Sequence, residues 1–157
     1  MCLILAPSSV PAHFKLNLNI RIFHIEHHDD GVDVFMRLPM PYLVASLLGP
    51  EHADGTRAPA PFTTHAMVDE ELMHYLDLDA LINDPLPLGQ LAADGHQIKV
   101  GSEALTAVVK KVLVYSSLNQ SPFSTLEEAK RSFENQQSQY DPEPFVGDSV
   151  VLSLIHI

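Results

Sequence analysis

Between Phe14 and Ile22 every even position is apolar (Phe14, Leu16, Leu18, Ile20, Ile22) and the odd ones hold Lys15, Asn17, Asn19 and Arg21. A period of two belongs to a strand with one face buried, so the chain cannot be all-helical. The parity then flips, because Phe23 and Ile25 are odd. A β-bulge or strand break is predicted near Ile22-Phe23. Asp30-Gly31 follows, a strong two-residue hairpin signal, since a type I′ turn needs positive φ at both central positions. The predicted register sets Asp29 opposite Val32, His28 opposite Asp33, Glu26 opposite Phe35 and His24 opposite Arg37. One face of this hairpin then holds Phe23, Ile25, Val32, Val34, Met36 and Leu38, and the other holds His24, Glu26, His28, Asp33 and Arg37, with Glu26 and Arg37 paired diagonally.

Further along, Pro41 and the set Leu43, Val44, Leu47 and Leu48, stopped by Gly49-Pro50, predict a short helix. Residues 51 to 64 read as loop. Asp69, Glu70 and Glu71 ahead of Leu72, Tyr75 and Leu76 predict an amphipathic helix with favourable N-terminal charges, and short helical pieces are expected at 79–82 and 88–93. His96–Val100 and Leu105–Tyr115 read as a second hairpin, its longer strand interrupted by Lys110 and Lys111. Thr125 to Glu128 is a capping box opening a helix to about Asn135, and Phe145 to Val151 is the last strand. The expected fold class is α+β, with antiparallel hairpins forming a sheet or incomplete sandwich and short helices packed on one side.

The 157 residues are 46% hydrophobic, enough for one core. A formal net charge of −11 repels phosphates and anionic lipid, which argues against nucleic acid as a partner. No run of 18 apolar residues offers a membrane-spanning helix. The single cysteine, Cys2, excludes an intramolecular disulfide and any Cys-type zinc site. Residues 1–12, apolar and then small up to Val10-Pro11-Ala12, read as the remnant of a signal peptide or as an apolar tail. Residues 13–151 are then one domain. The closing "LSLIHI", apolar and uncapped, resembles translated sequencing-adapter read-through, making 152–157 a non-native tail. Its alternative is a genuine strand through Val150, Leu152, Leu154 and Ile155.

"HIEHHDD" packs three histidines and three carboxylates into seven residues, side chains that suit nickel, copper or zinc. In a strand His24 and His28 lie about 13 Å apart and cannot share an ion. The tightest set on one face is Glu26, His28 and Asp33. The alternative is a solvated polar hairpin tip. Cleavage after Ala12 would add His13, whose α-amine and imidazole together chelate copper or nickel. His52, His65, His74 and His96 read as ordinary surface residues. No G-x-S-x-G, H-E-x-x-H or phosphate-binding Gly loop is present, so the expectation is a non-enzyme, with hydrolase chemistry the weakest alternative.

The stretch "HFKLNLNIRIFHIEHHDDGVDVFMRLPMPYLVA", with "PFTT", "LMHYLDLDAL" and "FVGDSVV", resembles the N-terminal extracytoplasmic region of HupE/UreJ-like bacterial membrane proteins. The resemblance covers about residues 13 to 151. It implies a β-rich domain on the periplasmic side, a membrane-embedded remainder as partner, and a link to nickel uptake. That family's nickel motif lies in a membrane helix absent here, so the resemblance assigns no ligand to a numbered residue. A protein-interaction or structural domain without metal is the alternative.

Overall fold

The computed structural model describes residues 20–50, 52–53, 56–69, 71–96, 98–116, 121–140 and 144–157. The expected strand over 14–19, the signal-like residues 1–12 and His13 lie outside them. The hairpin after them is present as β1 (Ile22–His28) and β2 (Gly31–Pro39). With β7 (Val108–Ser116) and β8 (Ser149–His156) they form an antiparallel four-stranded sheet in the order β1-β2-β8-β7. The architecture is α+β, as expected.

The hairpin register differs from the expected one. Glu26 faces Asp33 and His28 faces Gly31. The cause lies in the turn: neither Asp29 nor Asp30 takes a positive φ, so the type I′ turn does not form and the bend falls at Asp29-Asp30, ahead of Gly31 at φ 156°. For an L-residue the left-handed conformation costs about 1–2 kcal/mol. A slip of two residues preserves side-chain parity, so both predicted faces survive it.

Helices cover both faces of the sheet, not one side as expected. Val34, Met36, Leu38, Val112, Val114, Val151 and Ile155 pack with Met40, Leu43 and Val44 of α1 (Met40–Val44) and with Leu88, Ala92 and Ala93 of α3 (Leu86–Asp94). On the opposite face Phe35, Leu113, Tyr115 and Leu152 meet Phe123 and, from α4 (Leu126–Asn135), Ala129 and Phe133. The capping box of α4 is present in both directions, with Thr125 Oγ1 accepting from the Glu128 amide and the Glu128 carboxylate accepting from the Thr125 amide.

This two-sided cover explains the C-terminal sequence. Residues 152–157, expected as a tail outside the fold, form the second half of β8 and the residue after it, and Ile157 exchanges two backbone hydrogen bonds with Val32. A strand buried on both faces loses the polar alternation and reads as an unbroken apolar run. Among the described residues β8 lies between β2 and β7, and β1 and β7 are the two edge strands of this sheet.

The predicted helix over 67–76 is a β-hairpin, β3 (Thr63–Val68) with β4 (Glu71–Leu76). Thr63, Thr64 and Val68 are β-branched, and Asp69 at φ 49° makes the turn that its charge had suggested was a helix start. The base of this hairpin is anchored by backbone bonds from Asp77 to Phe62 and from Leu76 to Pro144, and by the Tyr75 and Phe145 rings 4.9 Å apart. Asp77 then caps α2 (Leu78–Asn83), its carboxylate accepting from the Ala80 amide. The second predicted hairpin shrinks to β5 (Lys99–Val100) with β6 (Glu103–Ala104), because the long strand β7 pairs with β8. No helix among the described residues is long and apolar enough to cross a membrane.

Candidate functional site at the tip of the first hairpin

Alternation along β1 puts His24, Glu26 and His28 on the α4 side of the sheet, and antiparallel pairing adds Asp33 from β2 and His156 from β8. The Asp33 carboxylate is the hub. His156 Nδ1 lies 2.7 Å from its Oδ1, and His28 Nε2 lies 3.3 Å from its Oδ2 and 3.9 Å from Glu26 Oε2. Lys130 of α4 reaches across to Glu26, Nζ to Oε1 2.6 Å. Its hydrogen bond to that carboxylate is the main cause of an ammonium pKa raised above the ordinary lysine value.

Of the residues singled out from sequence, Glu26, His28 and Asp33 are thus brought together. His24 is drawn away, its Nε2 lying 3.0 Å from the Phe123 carbonyl with the two rings 5.5 Å apart. The expected Glu26–Arg37 pair does not form, since the observed register sets Arg37 opposite Ile22 and Glu26 opposite Asp33, and Glu26 pairs with Lys130 instead. The Nε of Arg37 is buried with no hydrogen-bond partner, and desolvation lowers the guanidinium pKa.

Chemically the tip is a chain of contacts running from ammonium to carboxylate to imidazole to carboxylate to imidazole. It ties together α4, β1, β2 and β8. Both carboxylates already accept from a protein donor. Among the described residues no three His, Cys, Asp or Glu side chains are arranged to hold one metal ion.

Sequence reasoning missed His156, set aside with the expected tail, and Lys130, which lies 104 positions from Glu26. It also missed a second feature at the far end of β2. There a cavity of about 250 Å³ is lined almost wholly by apolar groups, among them Pro41, Val44, Leu48, Ala60 and Val146, with His74 in its wall. His74 faces His65 directly across the β3–β4 ladder. These two histidines do not join the tip cluster, since Pro39 and Gly31 stand at opposite ends of a nine-residue strand. A strand reading of 63–76 would have paired them.

Compared with protein-family models, curated proteins and solved structures, the chain has no match.

Proposed function

We propose that the chain is a non-catalytic, extracytoplasmic binding domain of a HupE/UreJ-like membrane protein, docking on the membrane-embedded remainder along β1. The observation that supports this is an open strand edge with apolar side chains beside it: Phe23 is 41% exposed and Ile25 55% exposed on a strand paired only with β2 among the described residues. Unpaired backbone groups on such an edge accept a strand from a partner, and flanking apolar side chains give the contact its area. The net charge of −11 leaves a protein surface as the partner rather than phosphate or anionic lipid.

The test is retention of the chain on an immobilised, detergent-solubilised HupE/UreJ-like membrane part. Wild type is expected to be retained, and Ile25→Lys to weaken retention by at least about tenfold, the effect of losing about 1.4 kcal/mol. Undiminished retention of that variant removes β1 as the docking edge.

A second reading, assistance to nickel or copper uptake, would draw on His28, His156, Glu26 and Asp33, which lie at one hairpin tip without three of them being arranged around one ion. An ion there would have to displace Lys130 from Glu26 or His156 from Asp33. Calorimetric titration with nickel checks it: one ion per chain, abolished by His28→Ala, is the expected result, and heat unchanged in that variant counts against it.

A further inference from the structure

We propose that the cross-strand pair His65 and His74 is a copper site, with the thioether of Met67 as a third, soft ligand. This rests on neither docking along β1 nor metal at the hairpin tip, since it uses other residues.

The ladder supplies the first argument. The Asp77 amide donates to the Phe62 carbonyl, which makes 62 and 77 a hydrogen-bonded rung. Rungs alternate along an antiparallel pair, so 65 and 74, three steps on in the same register, fall on a non-hydrogen-bonded rung. There the Cα atoms approach to about 4.5 Å and the side chains stand closest. Two histidines directly opposed on such a rung are fixed by backbone they do not have to organise.

Ring geometry supplies the second. The imidazole centroids are 6.2 Å apart with planes at 90°. Ring nitrogens lie about 1.1 Å from the centroid and bind at about 2.0–2.1 Å, so two imidazoles on one ion have centroids about 4.5 Å apart at a right angle and about 6.3 Å apart when opposed. The observed spacing falls within that range, near its wide end.

The third argument is an unspent nitrogen. His65 Nδ1 is buried and has no hydrogen-bond partner. Burying a polar nitrogen unpaired is unfavourable, and a bound cation relieves it. Met67 is the next residue of β3 on the same face, one non-hydrogen-bonded rung toward the turn, and is 59% exposed. Imidazole suits nickel, zinc and copper alike, whereas a thioether selects copper in its reduced state. The apolar cavity beside His74 limits water on one side of the pair.

The experiment is titration of the full chain with copper alone, cuprous ion by competition with a chromophoric chelator and zinc by calorimetry. One cuprous ion per chain is expected. His65→Asn and His74→Gln should each weaken it by more than about 100-fold, since even an outer-shell partner is worth about 10–100-fold. Met67→Leu, at an exposed position that leaves the fold intact, should weaken cuprous binding and leave zinc binding unchanged, and His52→Gln, at an exposed position outside both histidine clusters, should change neither. Absence of stoichiometric copper binding overturns the proposal. So does cuprous binding that survives the His65→Asn/His74→Gln double variant, or that is lost in His28→Ala alone.

Discussion

Gly89 is the point where α3 comes nearest to the sheet. A Cβ built there would lie 2.6 Å from Val109 Cγ1 and from Val112 Cγ2, both on β7. A glycine inside a helix costs about 1 kcal/mol relative to alanine, so propensity alone would recommend Gly89→Ala. Overpacking a filled core costs about 1–3 kcal/mol, and two β-branched valines held in a strand have little room to yield. The substitution is therefore expected to destabilise, by about 1–2 kcal/mol, read as a lower urea midpoint with an unchanged slope. Ser153, nearly fully buried next to this contact, has a hydroxyl with no hydrogen-bond partner; the structure offers no reason for it.

At the scale of elements, β7 shows why a sequence pattern can look broken and be sound. Lys110 and Lys111 interrupt a Val-rich strand, and the register shifts between Val109 and Lys111. This bulge leaves Lys110 exposed and turns Lys111 onto the α4 face, where its Nζ donates to the Phe133 carbonyl at 2.5 Å and the Gln136 carbonyl at 3.4 Å. A cation on the last carbonyls of a helix satisfies acceptors that have no partner within it and complements its dipole. Lys111→Met is expected to cost about 1–2 kcal/mol, while Lys110→Met should stay within about 0.5 kcal/mol. Thermal melts of the two variants check the contrast, and equal effects would mean that the bulge has no such role. The β1–β2 hairpin and the capped helix α4 were legible because their signals are local: alternation, and a Thr125 and Glu128 pair three residues apart. The β3–β4 hairpin was not, because Asp69, Glu70 and Glu71 suit a helix start as well as a turn, and the choice between them lies in what the hairpin base packs against.

For the molecule as a whole, β8 is the element on which both cores depend. Leu152 belongs to one and Ile155 to the other, and both are buried. Fully burying such side chains is worth about 1.5–3 kcal/mol each, against a total stability of about 5–15 kcal/mol for a domain. Ending the chain after Val151 also removes the rungs from Leu152 to His156 on both β2 and β7. That truncation is expected to abolish cooperative unfolding, followed by near-ultraviolet circular dichroism. A sharp transition retained would show that the sheet does without the second half of β8.

The sequence by itself determined what depends on neighbours along the chain: the first hairpin and its two faces, the capping box of α4, the absence of an intramolecular disulfide with one cysteine, and the acidic net charge. Only the tertiary structure decided the rest. It set β8 between β2 and β7, brought Lys130 to Glu26 and His156 to Asp33, and stood His65 against His74. Periodicity reports which face of an element is buried, and a strand covered on both faces has no periodicity to report. Contacts between residues a hundred positions apart are chosen by packing, which no local pattern encodes.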